Sequence, residues 1–485
     1  MLKDLLHVTR PLGLLLMAFS VAFLPPIVLA LAYDDGGAGA YAIAMAANFL
    51  FGLLMWLAGR HQRRELKSRD GFLLVVLTWT LLAASAAVPL MLGLGLSFTD
   101  AYFETMSGFT TTGATVLSGL DRLPHAHNFW RHELSWLGGL GIIGLAMAVL
   151  PLLGVGGMQV YRAEATGPIK DSKLTPRFVQ TARSLWLIYT ALTLVCIVAL
   201  RIAGMSWFDA VCHAFAALSL GGFSTHDANV AFFDSPAIEF ILVVFMLLAG
   251  INFATHFLAW RGKSIKPYRK DAEAIAMLAL VLGSCAGLAA YIWVAGIYPS
   301  YWTALRFAGF NLVSLALDCG LFNADFAQWP LFAGMYMLLL SCLAASAGST
   351  GGGIKMIRTL ILFRQSTREL FCLVHPNAMH SLKVGGQVIG DRTVLSVFGF
   401  IHLYTLSVIV LTLLLILSGM DFVSAFTAII ATINDAGPGL GVVGPGKTYA
   451  ALSDFQTWIC TASMLIGRLE VFVLVVLLTP AFWRD

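Results

Sequence analysis

A chain of 485 residues with 59% apolar and only 12% charged side chains cannot cover a soluble surface of its size, because ordinary soluble domains carry about 25% charged residues. Its mean hydropathy of +0.83 makes lipid part of its solvent. A net charge of +4, with no basic block interleaved with aromatics, excludes a nucleic-acid footprint, and seven cysteines without a CxxC pair exclude a disulfide framework or zinc site.

Lys3 and Arg10 precede an apolar run at 11–32 that is long enough to span and shows no small-residue cleavage site, so it reads as a first transmembrane helix and not a signal peptide. Further stretches of about 20 apolar residues fall at 41–59, 72–96, 130–152, 184–203, 237–260, 272–297, 330–357, 393–418 and 456–480, which makes ten spans. Basic residues gather in alternate loops: Arg60, Arg63, Arg64, Lys67 and Arg69; Arg162, Lys170, Lys173, Arg177 and Arg183; Arg261, Lys263, Lys266, Arg269 and Lys270; Arg358, Arg364, Arg368, Lys383 and Arg392. With Lys3, Arg10 and Arg484 they place 23 of the 30 Lys and Arg on one side. The positive-inside rule makes that side cytoplasmic, with both termini inside.

Four segments remain on the outer side, at 97–129, 204–236, 298–329 and 419–455. Each opens with an apolar or aromatic stretch too short to cross and continues into a glycine element, which is the pattern of a re-entrant segment. Ala101, Ala210, Ala308 and Ala425 each precede a glycine by 12 residues: Gly113, Gly222, Gly320 and Gly437. The predicted fold is all-α and polytopic: four tandem helix–pore loop–helix repeats around a pseudo-fourfold ion path, after two N-terminal helices. The expected divisions are 1–70, 71–160, 161–270, 271–391 and 392–485. Same-direction repeats imply an axis along the membrane normal.

The four elements read Thr110-Thr111-Thr112-Gly113-Ala114-Thr115, Ser219-Leu220-Gly221-Gly222-Phe223-Ser224, Leu317-Asp318-Cys319-Gly320-Leu321-Phe322 and Asn434-Asp435-Ala436-Gly437-Pro438-Gly439. Glycine allows positive φ, and four such strands on one axis can offer rings of carbonyl oxygens that replace a cation's water shell. Only Asp318 and Asp435 are acidic, so the acidic ring of a calcium filter is missing and monovalent cations fit best. Glycines also cap short helices and admit close helix packing, and the spacing alone leaves that reading open.

The first, second and fourth elements resemble bacterial TrkH-type potassium uptake proteins, in Ser107-Gly108-Phe109 running into Thr110–Thr115, in Gly221-Gly222-Phe223-Ser224-Thr225-His226, and in Gly437-Pro438-Gly439-Leu440-Gly441. So do Leu150-Pro151-Leu152-Leu153-Gly154-Val155-Gly156-Gly157-Met158-Gln159 and Ala347-Gly348-Ser349-Thr350-Gly351-Gly352-Gly353-Ile354-Lys355. The resemblance covers essentially the whole length, and the N-terminal pair favours TrkH over the shorter KtrB relatives. It implies a homodimer in the bacterial inner membrane with one potassium path per subunit, driven by membrane potential. It also implies gating by a cytoplasmic nucleotide-binding ring of the TrkA type, and no organic cofactor. By resemblance, potassium is held by carbonyls of Thr111 and Thr112, Leu220 and Gly221, Asp318 and Cys319, and Asp435 and Ala436. The third element departs from the family's threonine-rich run with Ala316-Leu317-Asp318-Cys319, which puts potassium-over-sodium discrimination in question.

Gly348, Ser349, Thr350, Gly351, Gly352 and Gly353 interrupt the eighth span, although each glycine disfavours helix by about 1 kcal/mol. The run is either a plain kink or a broken helix lining the water path; a phosphate loop is excluded because Ile354 separates Gly353 from Lys355 and Met356 follows. The resemblance makes this run the gate. Arg468, a costly charge inside the last span, is a barrier to ions, a holder of the glycine loop through its carbonyls, or a tie between helices; the resemblance puts it in the gate. Glu470, two residues on, points to another helix face. Lys355 is expected to snorkel to the cytoplasmic surface, and His213 and His256 to be packing residues. No HExxH or nucleophile–base–acid set suggests an enzyme. Inverted repeats and charged midplane ligands, expected of a carrier of organic solutes, do not stand out. A sodium- or proton-coupled symporter of the same fold remains the alternative.

Overall fold

The computed structural model describes residues 2–60, 68–149, 178–377 and 381–483. The motif at 150–159, the division at 160/161, Arg484, and the loop residues Arg63, Arg64, Lys67, Arg162, Lys170, Lys173 and Arg177 lie outside the described residues. Among those described, six stretches are long and apolar enough to cross a membrane alone: Val8–Tyr33, Ala38–Gly59, Arg69–Leu94, Arg183–Ile202, Ala272–Val294 and Asp391–Leu417. Two expected spans are instead bent pairs, Pro236–Ala249 with Phe253–Gly262 at 94° and Asp454–Arg468 with Phe472–Leu478 at 114°. The span expected at 330–357 is a short helix, Leu331–Ser341, followed by irregular chain to the helix Met356–Val374. That helix and a two-residue hairpin, Lys383–Val384 with Gln387–Val388, fill much of what the sequence suggested was loop.

The four outer segments each begin with a re-entrant helix, at Phe98–Phe109, Trp207–Ser219, Tyr301–Ala316 and Phe422–Ile433. A 12-residue helix is about 18 Å long, too short to cross. Each starts on a side-chain cap: Ser97 accepts from the Asp100 N–H, Ser206 from Asp209, Ser300 from Thr303 and Asp421 from Ser424. Such caps occupy donors that a helix start leaves without partners. Counted from the cap, the match to Ala101, Ala210 and Ala425 is Ala304; counted back from the glycine it is Ala308. The third helix has 16 residues where the others have 12 or 13, so its extra turn lies at the outer end and the distance to the glycine is kept.

Each re-entrant helix packs against the first helix of its own repeat and the second helix of the preceding one. Trp207–Ser219 lies against Phe178–Ile202 and His125–Val149, Tyr301–Ala316 against Ala272–Val294 and Pro236–Ala249, and Phe422–Ile433 against Asp391–Leu417 and Leu331–Ser341. Phe98–Phe109 lies against Ser68–Leu94 and Asp454–Arg468, which closes the cycle from the fourth repeat to the first. The fold is therefore all-α, with four helix–pore loop–helix repeats about a pseudo-fourfold axis. The N-terminal pair stands outside it, and Gly13 and Gly52 let those two backbones meet: a β-carbon on Gly52 would lie 2.8 Å from the Gly13 carbonyl oxygen.

Candidate ion pathway

All four re-entrant helices end the same way. The N–H of the residue before the glycine reaches back five residues, Thr112 to Ser107 at 2.8 Å, Gly221 to Ala216 at 2.9 Å, Cys319 to Ser314 at 2.8 Å and Ala436 to Ala431 at 2.7 Å. This six-to-one bond is that of a Schellman termination, which needs a left-handed residue just before the donor. Thr111, Leu220, Asp318 and Asp435 supply it, at φ of 57°, 56°, 64° and 61°. Gly113, Gly222, Gly320 and Gly437 are left-handed in turn, at 77°, 64°, 87° and 83°. The sequence led us to expect positive φ at the glycines; nothing in Thr, Leu or Asp signals it two residues earlier.

The glycines interlock in a ring. A β-carbon on Gly113 would lie 2.6 Å from the Gly221 carbonyl oxygen, one on Gly320 2.7 Å from that of Ala436, and one on Gly437 2.7 Å from that of Thr112. At Gly222 it would overlap the Cys319 carbonyl oxygen. Each copy thus touches the next, and the fourth touches the first. Among the described residues no donor reaches the carbonyls of Thr111, Thr112, Leu220, Asp318, Cys319, Asp435 or Ala436, while the Gly221 carbonyl accepts from the Phe223 N–H at 2.9 Å. Buried carbonyls are nearly always partnered, so seven open oxygens at one axis make a candidate site for a cation.

Above the ring lies a cavity of about 220 Å³, lined by Gly113, Gly222, Gly320, Gly437, Arg131 and His226 among others. Arg131 belongs to a buried ion pair in its wall: its Nε donates to Glu104 Oε1 at 2.6 Å. Glu104 also accepts from the Thr115 hydroxyl and the Val116 N–H, and Arg131 reaches the Ser224 carbonyl and lies over the Phe223 ring. The pair therefore joins the outer ends of the first and second elements. Further out, His226 Nδ1 meets Asp121 Oδ1 at 2.6 Å and its Nε2 lies 3.5 Å from Asp209. Partial burial opposes the charge on His226, but the hydrogen bonds to Asp209 and Asp121 outweigh it and raise its pKa; the same His226 bond lowers that of Asp121. His213 bonds the Asp209 carbonyl and Ser224 hydroxyl, and His256 the Tyr268 hydroxyl and Leu248 carbonyl, so both are fully engaged in packing.

Below the ring lies the glycine run 348–353. A β-carbon on Gly351 would sit 3.0 Å from the Leu317 carbonyl oxygen, and one on Gly352 would overlap that of Asn434. The Thr350 hydroxyl donates to the Leu218 carbonyl at 3.0 Å, and Arg468 donates to the Thr350 carbonyl at 2.9 Å and the Gly138 carbonyl at 3.3 Å. The run thus meets the second, third and fourth repeats directly and the first through Arg468. It also enters the break in the second repeat: the Ser346 N–H donates to the Gly250 carbonyl, and the Gly348 carbonyl accepts from the Phe253 N–H. Both are groups that a broken helix would leave open.

Three expectations change. Lys355 does not snorkel; it is 8% exposed and its ammonium folds back onto the Gly351 carbonyl. Arg358 is no loop residue: it is buried in the first turn of Met356–Val374, 3.8 Å from the centre of the Phe400 ring, and pairs with Glu470 at 2.8 Å. Arg468 does not lie mid-helix but ends a helix that breaks over the next three residues, where its charge also suits the helix dipole.

Residues 38–283 and 299–484 match the TrkH family, described as cation transport protein. The chain is 47% identical to the Trk system potassium uptake protein TrkH of Salmonella typhimurium over 480 residues, 99% of each chain, and 39% identical to TrkG of Escherichia coli, over 99% of this chain and 98% of the relative. The crystal structure of the potassium transporter TrkH from Vibrio parahaemolyticus aligns with a TM-score of 0.90 at 44% identity, over 99% of this chain and all of that one. The chain belongs to the TrkH family.

Within this TrkH architecture the ring geometry gives a ranked expectation. A side chain at a left-handed position costs about 1–2 kcal/mol, and the overlap at Gly222 is the most severe of the four. Gly222→Ser should therefore lower rubidium-over-sodium discrimination by at least about tenfold, the equivalent of 1.4 kcal/mol, and more than Gly113→Ser does. Rubidium uptake with and without excess sodium measures both; unchanged discrimination in the two variants would remove the carbonyl ring as the discriminating element.

The outer His226 tie gives a second expectation. A His whose folded pKa is raised contributes stability that is fully present below its unfolded value, about 6.5, and lost as pH rises through the folded value. The melting-temperature gap between the native chain and His226→Ala should be wider near about pH 5.5 than near about pH 9. A gap that is constant or widens with pH contradicts the ion-pair account.

Proposed function

We propose that this chain is a channel-like potassium uptake protein of the bacterial inner membrane, driven by membrane potential. The observation that carries the reading is the set of open carbonyls on four interlocked glycine elements, which suits a dehydrated monovalent cation. Potassium is the ion for which the relatives are named. A potential of 100 mV is worth about 2.3 kcal/mol per unit charge, so accumulation needs no ATP hydrolysis in this chain. Thr111, Thr112, Leu220, Gly221, Asp318, Cys319, Asp435 and Ala436 supply the ring oxygens, and the four glycines hold them. The run 348–353 is the gate and Arg468 its latch. Both termini are cytoplasmic, and two copies form a homodimer.

Purified protein in liposomes under an inside-negative potential should take up rubidium without any organic solute; strict dependence on a sodium or proton gradient would favour the symporter. Shortening the run 348–353 and Arg468→Ala should each raise uptake and leave discrimination unchanged. Together they should be less than additive, by an interaction on the order of 0.5–3 kcal/mol, because Arg468 bonds the run itself. Additive effects would separate the two, and a shortened run that abolished uptake in folded protein would mean that it builds the path.

A cytoplasmic nucleotide-binding ring of the TrkA type is the gating partner in this reading. The basic helix Met356–Val374, which follows the gate directly and exposes Arg364, offers it a lever. Charge reversal at Arg364 should weaken co-purification of such a ring, and full retention would move the contact elsewhere.

A further inference from the structure

Asp318 and Asp435 occupy the same left-handed position in neighbouring repeats, where the other two copies have Thr111 and Leu220. Both are buried, 1% and 0% exposed, and both carboxylates reach the glycine run. Oδ2 of Asp318 lies 3.5 Å from the place of a Gly351 β-carbon, and Oδ2 of Asp435 lies 3.4 Å from that of Gly352. The two side chains therefore bracket a single peptide of the run. Asp435 Oδ1 accepts from the Thr112 hydroxyl at 2.9 Å. Its Oδ2 has no hydrogen-bond donor among the described residues, and the one donor that approaches the Asp318 carboxylate is the Gly352 N–H of the run itself, too poorly aligned to saturate it.

Buried carboxylate oxygens in that condition are costly unless a cation compensates them. Two cations act on this pair through space, Lys355 and Arg468. Both are also tied to the glycine run, Lys355 through the Gly351 carbonyl and Arg468 through the Thr350 carbonyl. The chain thus brings an ammonium of its own to the place that the open oxygens face.

We propose that Asp318 and Asp435 form a monovalent-cation site between the glycine ring and the glycine run, which Lys355 fills by proxy while the run is closed and a potassium or sodium ion fills when Lys355 withdraws. The charge count selects the valence. With both carboxylates ionised, the pair and Arg468 carry one net negative charge, which one monovalent ion neutralises. The site is lopsided, on the third and fourth repeats only, so it is separate from the ring of backbone oxygens above it. The inference rests on the reading of the run as a gate, but its first test counts bound ions and does not pass through flux.

Equilibrium dialysis of the purified full-length chain against labelled rubidium counts bound ions without any gating. Lys355→Met, which keeps the stem and removes the charge, should bind one more rubidium per chain than the native protein. Adding D318N and D435N should abolish that extra ion, and D318E with D435E should keep it. An unchanged count in Lys355→Met, or an extra ion that survives loss of both carboxylates, overturns the site. Should Lys355→Met fail to fold, D318N/D435N in the native background carries the test: half-saturation for rubidium uptake should rise about tenfold, and an unchanged value overturns the proposal. Failure of the gate would show separately, as uptake indifferent to shortening the run.

Discussion

A glycine of each repeat lies so near the carbonyl that precedes the glycine of a neighbouring repeat that a β-carbon could not fit between them, and the rest of the architecture follows from that closeness. Four chain segments can approach one axis so tightly only where backbone meets backbone. They also have to arrive from the outer side, turn, and leave again within the bilayer. The short capped helices deliver them to depth, the left-handed residue two before the glycine turns them, and the six-to-one hydrogen bond closes the turn. A β-branched or bulky residue in a left-handed conformation carries strain, yet Thr111 and Leu220 accept it because burial and the helix-end bond over-determine the position. The same constraint explains why side chains vary between copies: the axis is built from main chain.

Helix breakage is the second consequence. Second helices that ran straight through the axis would collide below the ring. In the second and fourth repeats they bend by 94° and 114°, and in the third the helix stops at Ser341. Each break exposes backbone groups that lipid cannot satisfy. The glycine run closes the one in the second repeat and accepts Arg468 at the end of the fourth. It does so as irregular chain because a helix could not meet three repeats at once, and its glycines admit the Leu317 and Asn434 carbonyls at close range.

How much of this is legible in the sequence depends on which level carries the information. Hydropathy and basic residues carry the spans, and a 12-residue Ala–Gly spacing carries the repeat and the ring, since both are set by bulk composition and by one residue type with a unique conformational role. The bent spans were read as straight because a broken helix keeps the composition of an intact one. Arg358 was counted as a loop charge because its partners, Glu470 and the Phe400 ring, lie about a hundred and about forty residues away in the chain. Lys355 was sent to the surface because snorkelling is the default for a lysine near a span end, and only the fold reveals a carbonyl within its reach. The Glu104–Arg131 pair behind the ring was likewise missed: one acid and one base 27 residues apart have no signature.

Under the proposed reading of the run as a gate, its hydrogen bonds set what opening would demand. Withdrawing it would break the bonds from Ser346 to the Gly250 carbonyl, from Phe253 to the Gly348 carbonyl, from Thr350 to the Leu218 carbonyl, from Arg468 to the Thr350 carbonyl, and from the Ala347 N–H to Glu273. At about 0.5–1.5 kcal/mol net for each neutral bond and about 1.5–3 for each charged one, the total is on the order of several kcal/mol. Water that enters with the open path recovers part of it. A single monovalent ion falling through about 150 mV supplies only about 3.5 kcal/mol, and that energy is needed for accumulation. Opening on ion arrival alone is therefore a poor bargain for the chain, and the strain is better delivered from outside the membrane. Met356–Val374 is placed for that role: it begins on the residue after Lys355, its first turn is anchored by Arg358 to Glu470, and its middle exposes Arg364 to solvent. A pull on that helix reaches the run through two residues, Ile354 and Lys355, a short mechanical path from the helix to the ring.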